Sequence, residues 1–73
     1  MLSPVAEATL EIFKLSDDIN LIMQKLNNKS YVARELGIDR STVYRYANGC
    51  TLPNDAIVLR AIQIWADRIR NEN

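Results

Sequence analysis

Polar side chains that can donate hydrogen bonds gather on one side of the segment after Asp39. At about 100° per residue, five of them fall within an arc of roughly 140° of a helix, namely Arg40, Ser41, Tyr44, Arg45 and Asn48. Arginine can donate two hydrogen bonds to a guanine edge, asparagine can pair with adenine, and all five groups can reach phosphate oxygens. No acidic residue interrupts this arc. The pattern therefore predicts a surface suited to a nucleic acid.

The residues of this face carry different expectations. Arg40 and Arg45 are the principal candidates for guanine recognition or for clamping phosphates, followed by Ser41 and Tyr44. Asn48 either contacts a base or caps the helix before a glycine. Thr42, at the edge of the arc, is either a phosphate contact or a buried hydroxyl. The alternative for the whole face is a solvated surface on a scaffold used only for protein contacts.

Two short helices joined by a tight turn are predicted to position this face, within residues 30–49. The first helix is expected over 30–36 with Ser30 as its N-cap, and Gly37 suits the left-handed position that closes a helix. The turn is Gly37-Ile38-Asp39, in which Asp39 suits the N-cap of the second helix. Buried positions are expected for a group of mostly small or aliphatic residues: Val32, Ala33, Leu36, Ile38, Val43, Tyr46 and Ala47. This is the pattern of a helix-turn-helix.

The residues just before the first of these helices are further candidates for phosphate contact. Asn27-Asn28-Lys29 is predicted to be a loop, so that Lys29 and Ser30 stand at a helix N-terminus, where backbone amides favour anions. The alternative is a solvated lysine and a plain capping serine. Tyr31 and Arg34 are additional candidates for contacts to the backbone of a nucleic acid.

The stretch from Asp17 to Trp65 resembles the Cro and lambda-repressor type of helix-turn-helix, the Xre-like family of phage and bacterial regulators. The resemblance depends on Ala33 four positions before Gly37, on Ile38 after it, on Val43 six positions past it, and on the ending YRYANGCTLP. That ending is similar to the family's aromatic-x-asparagine-glycine-x-x-x-proline sequence. The family often has a lysine or arginine after the glycine, and Cys50-Thr51-Leu52 offers none, which argues against a strong backbone contact from this loop.

The resemblance implies a homodimeric transcriptional regulator that binds double-stranded DNA at an inverted repeat, and it suggests a repressor that acts by occupying a promoter. It does not separate a repressor from an activator or from an excisionase, which shares the DNA-binding role.

Helices are predicted on both sides of the motif. Ser3 and Pro4 are typical of a helix start, which indicates an N-terminal helix over 4–15. Ser16-Asp17-Asp18 is typical of a second start, with a helix to Leu26, although 4–26 could also be one bent helix. The N-terminal helix is amphipathic and must bury its apolar side, which consists of Val5, Ala6, Leu10 and Phe13 and could include Leu2.

A C-terminal helix is expected over 54–70, capped by Asn54-Asp55, and residues 71–73 are expected to fray. Its apolar surface is wider than the ~100° stripe of a helix that faces a single core. One side can close the core of the motif, and the other is predicted to be a dimer interface that includes Ile62, Trp65 and Ile69. The alternative is that the N-terminal helix covers this surface within one chain.

Length and composition bound the remaining possibilities. At 73 residues, the chain is expected to be one all-α domain of four to five helices, with a core that is marginal unless oligomerisation adds to it. The net charge is zero. Its distribution is uneven, because residues 1–18 carry four acids and one lysine, whereas residues 25–49 carry five basic residues and two acids. A modest basic surface of this kind can bind a duplex with few phosphate contacts.

Catalytic and metal-dependent functions find little support in the sequence. There is no histidine, and Cys50 is the single cysteine, so neither an intramolecular disulfide nor a zinc site is expected. No cofactor and no small-molecule ligand are predicted, and an enzyme is disfavoured because general acid–base chemistry lacks its usual residues. No apolar run approaches the ~20 residues that span a bilayer. We therefore expect a cytoplasmic protein without a membrane partner.

The alternative function is a protein-interaction module, such as an antirepressor or inhibitor built on a helix-turn-helix scaffold. The neutral net charge and the acidic first helix favour this alternative. In that case, Arg40 and Arg45 would be dispensable for activity.

Overall fold

Four α-helices make up residues 3–72, the part of the chain that the computed structural model describes, and no strand occurs in that range. They are α1 (Pro4–Leu26), α2 (Lys29–Leu36), α3 (Arg40–Ala47) and α4 (Ala56–Arg70). The predicted all-α class is confirmed. Leu2, a candidate for the apolar side of α1, and Asn73, in the tail expected to fray, lie outside the described residues. Within the described range, none of the helices combines the length and the apolar character needed to cross a membrane.

Helix α1 begins as predicted but does not end at residue 15. The Ser3 hydroxyl accepts a hydrogen bond from the Ala6 amide at 3.1 Å, and Pro4 occupies the first turn. The predicted new start at Ser16-Asp17-Asp18 is wrong, because the helix runs without interruption to Leu26. Neither a glycine nor a proline breaks it there, and two of these side chains bind other helices instead of capping. The alternative of a single helix over 4–26 is the observed one.

Helix α2 starts at Lys29, and its N-cap lies two residues before the predicted one. The N-cap is Asn28, whose side chain accepts a hydrogen bond from the Tyr31 amide at 3.0 Å, so the assignment of Ser30 as the cap is wrong. Asn28 is as favourable a capping residue as serine, and its backbone has the extended conformation of an N-cap. Lys29 consequently lies in the first turn of α2 rather than in a loop.

Glycines end α2 and the turn after α3. Gly37 has φ +70° and Gly49 has φ +73°, the left-handed conformation that costs glycine least. The amides of Ile38 and Cys50 return to the carbonyls of Ala33 and Arg45 at 3.0 and 2.9 Å, which satisfies the last carbonyls of each helix. The turn Gly37-Ile38-Asp39 is closed at its start by Gly37. Asp39 takes the predicted N-cap position of α3, but its side chain makes no capping hydrogen bond.

The core lies where α1, α3 and α4 meet, with α2 closing one side. Its buried members come from all four helices: Leu15, Ile19, Ile22, Val32, Ala33, Val43, Tyr46, Ala47, Ile62 and Ala66. The predicted inward positions Val32, Ala33, Val43, Tyr46 and Ala47 are confirmed. Ile38 is half-buried and packs against this core, as expected for the apolar residue of the turn.

Helix α4 is capped by Asp55, whose carboxylate accepts a hydrogen bond from the Ile57 amide at 2.8 Å. Its C-terminal end is tied to the middle of α1 by an ion pair between Arg70 Nη2 and Asp18 Oδ1 at 2.6 Å. The Asp18 side chain is only 1% exposed. This hydrogen bond is the main reason that the pKa of Arg70 is raised above its ordinary value. The pair therefore holds the C-terminal end of α4 against the middle of α1.

Candidate nucleic-acid interface

The polar face predicted on α3 is exposed along its whole length. Arg40, Ser41, Tyr44, Arg45 and Asn48 all lie on the surface. The opposite side of the helix is buried, with Val43 fully enclosed. Thr42 is half-buried at the boundary between the two sides, in agreement with its place at the edge of the arc. The separation of α3 into an outer polar face and an inner apolar face is thus confirmed.

Two contacts join this face to the first turn of α2. Lys29 Nζ donates a hydrogen bond to the Tyr44 hydroxyl and lies 4.3 Å from the centre of the Tyr44 ring. Arg40 Nη1 lies 3.5 Å from the Ser30 hydroxyl, at the long limit of a hydrogen bond. Four of the predicted site residues therefore form one cluster, which we call the α2–α3 cluster: Lys29, Ser30, Arg40 and Tyr44.

Asn48 has a backbone role that leaves its side chain on the surface. Its amide donates to the Tyr44 carbonyl at 2.9 Å, and it is the residue that ends α3. Asn48 therefore ends the helix through its backbone, and its side chain stays exposed beside the outer face.

Helix α1 holds the C-terminal end of α3 in place. The Ser16 hydroxyl and the Asn20 amide both donate hydrogen bonds to the Ala47 carbonyl, the latter at 3.1 Å. Gly49, which follows α3, also packs against α1, since a Cβ atom on it would lie 3.5 Å from Cγ2 of Ile12. The outer face of α3 is thus fixed at its start by α2 and at its end by α1.

A polar groove flanks the α2–α3 cluster and was not predicted. It lies between the C-terminal half of α1 and the first turns of α2 and α3, and its walls include Asp17, Asn20, Gln24, Asn28 and Arg70 beside the cluster. Asp17, Asn20 and Gln24 recur at helical spacing on one face of α1, whereas Asn28 and Arg70 join them only through the packing of the helices. The groove adds amides and one carboxylate to the edge of the basic surface.

The two additional phosphate candidates on α2 behave differently. Arg34 is exposed. Tyr31 is tied elsewhere, because its hydroxyl donates to Glu35 at 3.2 Å and its ring meets the Trp65 ring edge-on, with centroids 6.3 Å apart. The hydrogen bond to the Glu35 carboxylate raises the pKa of Tyr31, since removing the phenol proton would place two negative charges together. Tyr31 therefore belongs to the α2–α4 side rather than to the α2–α3 cluster.

The predicted dimer interface on α4 needs a correction. Ile62 has no exposed surface, because it lies in the core of its own chain, so its assignment to an interface is wrong. Trp65 and Ile69 are half-buried and pack against the same core. The surface of α4 exposes other apolar side chains, Ile57 at 77% and Ile64 at 39%. The ion pairs that join α1 to the C-terminal end of the chain come from Asp18 and Lys25, which lie beyond the segment 4–15 that the alternative assigned to cover this surface.

No protein-family model, curated protein or solved structure matches the chain. Within residues 3–72, no group of three or more cysteine, aspartate or glutamate side chains is placed to hold a metal ion. The interpretation of the interface therefore depends on the α3 face and the α2–α3 cluster themselves.

Proposed function

We propose that the protein is a sequence-specific regulator of transcription that binds double-stranded DNA, a homodimeric repressor of the Cro and lambda-repressor type acting on an inverted repeat. One observation carries the proposal. The outer face of α3 presents two arginines, two hydroxyls and an amide, joined directly to a lysine and a serine at the start of α2. Such a regulator acts in the cytoplasm, where phage and bacterial DNA is accessible.

In this proposal α3 enters the major groove. Arg40 and Arg45 donate paired hydrogen bonds to guanine O6 and N7 or clamp phosphates beside the groove. Ser41 and Tyr44 contact base edges or the adjacent backbone, and Asn48 contacts adenine or a phosphate at the C-terminal end of the helix. The buried side of α3 supports this role, because an anchored helix presents its outer side chains in fixed positions.

The start of α2 supplies contacts that position the protein on the duplex. Lys29 and the first amides of α2 favour a phosphate, and such contacts carry register and orientation rather than sequence information. The stacking of Lys29 on Tyr44 holds the ammonium group beside the outer face of α3. Contacts to the backbone and contacts to the bases are therefore made by side chains that already touch.

The charge distribution predicts a modest dependence on salt. The chain has no net charge, and the surplus of basic residues is confined to residues 25–49. Each phosphate contact contributes roughly −0.9 to the slope of log K against log salt. A chain with few phosphate contacts should therefore show a shallower slope than a strongly basic domain of the same size.

The test selects binding sites from random-sequence duplex DNA and then measures affinity by fluorescence anisotropy at two salt concentrations. The principal variant is Arg40→Ala/Arg45→Ala. The matched control is Arg60→Ala/Arg68→Ala, which removes the same charge from exposed positions of α4. We expect the first variant to lose roughly 10- to 100-fold in affinity for the selected site, and the control to stay close to the wild type.

The selection also separates base contacts from phosphate contacts. Removing a base-reading arginine relaxes the preference at one position, whereas Lys29→Ala should weaken all sequences alike and lower the salt slope by about 1. Failure to enrich any sequence, with the protein folded, would contradict the proposal. That result would favour the protein-interaction alternative, for which the acidic character of residues 1–18 is the supporting observation.

A further inference from the structure

The first half of α1 carries an apolar face that its own chain leaves uncovered. Val5 is 77% exposed, Leu10 is 54% exposed and Phe13 is 61% exposed. At about 100° per residue, these three side chains share an arc of roughly 140°. Leu10 and Phe13 lie opposite the buried Leu15, and Val5 lies at the edge of the arc, on the side nearer the buried Ile19. We call Val5, Leu10 and Phe13 the outer face of α1. The sequence pattern required this side to be buried, and the described residues do not bury it.

The size of this face sets it apart from ordinary exposed side chains. Single exposed apolar residues are common on protein surfaces, but three large ones within nine residues of one helix form a continuous strip. From their exposed fractions, and with 150–250 Å² for a whole aromatic side chain, the strip amounts to roughly 300 Å². A strip of this size is comparable to the largest apolar patch of a typical monomer, roughly 300–600 Å², which is often a functional surface.

We propose that the occupant is a second copy of this chain, packed antiparallel so that the outer faces of two α1 helices cover each other across a two-fold axis. This inference rests on the proposed function, since an inverted repeat needs two copies. It also replaces the predicted interface on α4, because Ile62 lies in the core of its own chain and Trp65 and Ile69 pack against that core.

The charges beside the outer face favour this arrangement. Glu7 and Lys14 are seven residues apart and therefore lie on the same flank of α1. Neither takes part in the ion pairs found within residues 3–72. An antiparallel pair centred between them places Glu7 of each copy opposite Lys14 of the other, which forms two ion pairs. A parallel pair would instead place Glu7 opposite Glu7.

The same centre fits the shapes of the side chains. Leu10 lies next to the two-fold axis, so that the two copies of Leu10 meet there. Phe13 of one copy then falls between Leu10 and the small Ala6 of the other, a large side chain in a shallow hole. With the flanking polar atoms, the interface would bury about 1,000 Å² in total, at the lower end for specific complexes. The dimer should therefore be weak and dependent on concentration.

This dimer would set the relative placement of the two α3 helices. The same α1 that carries the outer face holds the end of α3 through the hydrogen bonds of Ser16 and Asn20 to the Ala47 carbonyl. Pairing through α1 therefore orients the two polar faces without a flexible connection between them.

The experiment is sedimentation velocity without DNA, from about 1 µM to about 1 mM protein, with circular dichroism to verify folding. We expect the wild type to pass from monomer to dimer in this range, and Phe13→Glu to raise the dissociation constant at least about tenfold. Val5→Glu has a matched control in Ile57→Glu, because both residues are 77% exposed and both occupy the second position of a helix. Only the change in α1 should weaken the dimer.

Charge reversal tests the antiparallel register. Glu7→Lys alone should weaken the dimer, and the combination Glu7→Lys/Lys14→Glu should restore it, a rescue that a purely local effect on α1 would not give. A wild type that stays monomeric over the whole range, or a dimer that Phe13→Glu leaves intact, would overturn the inference. Because no DNA is present, this failure is distinct from a failure of DNA binding, which the arginine variants measure separately.

Discussion

Ile62 offers the clearest test of how α4 is used. The sequence pattern placed it at an interface between two chains, but its side chain is completely enclosed in the core of one chain. The substitution Ile62→Ala should therefore destabilise each folded monomer. A residue whose only role is at a subunit interface would instead affect association.

The expected size of the effect follows from the enclosure. The substitution removes three carbon groups, worth about 2.4 kcal/mol at ~0.8 kcal/mol for each buried group. The surrounding helices close the resulting cavity only in part, which adds to the loss, and comparable substitutions cost 2–5 kcal/mol. We expect about 3 kcal/mol. For a chain of 73 residues with an unfolding entropy of about 2.1 cal/mol/K per residue, this corresponds to a fall in Tm of roughly 20 °C.

Thermal unfolding followed by circular dichroism at two protein concentrations measures the effect. The matched control is Ile64→Ala, the same change two residues away at a position that is 39% exposed, which should cost less than about 1 kcal/mol. The fall in Tm for Ile62→Ala should be the same at both concentrations. A fall below about 5 °C, or one found only at the higher concentration, would refute the assignment of Ile62 to the monomer core.

Two further substitutions test contacts between helices and within α2. Asp18→Ala should lower the free energy of unfolding by about 1.5–3 kcal/mol, because its buried carboxylate accepts a charged hydrogen bond from Arg70. Chemical denaturation measures this change, and the exposed control Asp67→Ala should differ from the wild type by no more than about 0.5 kcal/mol. Equal effects of the two substitutions would contradict the prediction. Glu35→Gln should move the raised pKa of Tyr31 back towards 10.0, as followed by NMR of its ring. Because the pKa of Tyr31 is higher in the folded state than in the unfolded state, the stabilisation from this contact is complete below about pH 10 and is lost as the pH rises through the folded-state pKa. An unchanged titration of Tyr31 in Glu35→Gln would show that Glu35 is not the cause of the shift.

Most features set by neighbouring residues were predictable from the sequence, although the cap of α2 is Asn28 and not Ser30. The cap at Ser3, the cap at Asp55 and the left-handed Gly37 each depend on a few residues in a row, and all three are observed. The outer and inner sides of α3 also follow from a repeat of 3.6 residues over a single short helix. The exposed side chains of α3 could be identified in advance for the same reason.

Features set by distant contacts were not predictable. Ser16 and Asp18 have the composition of a helix start, but their partners are the Ala47 carbonyl and Arg70, 31 and 52 residues away. For Ile62 the difficulty was different. Apolar residues surround most of α4, so the repeat did not indicate which side faces the core. The groove beside the α2–α3 cluster likewise arises only when residues of all four helices meet.

The continuity of α1 joins the two proposals. Its first half carries the outer face, and its middle holds the end of α3 through Ser16 and Asn20. If the helix had ended at residue 15, as the sequence pattern indicated, a joint would separate the proposed dimer contact from the helix that we propose to read DNA. An unbroken helix removes that joint. Pairing of two α1 helices would then hold both α3 helices at one separation, which is what recognition of two half-sites about 34 Å apart, or a multiple of that distance, requires. Changes that break α1 between Phe13 and Ser16 should therefore reduce binding to the full inverted repeat more than binding to a single half-site.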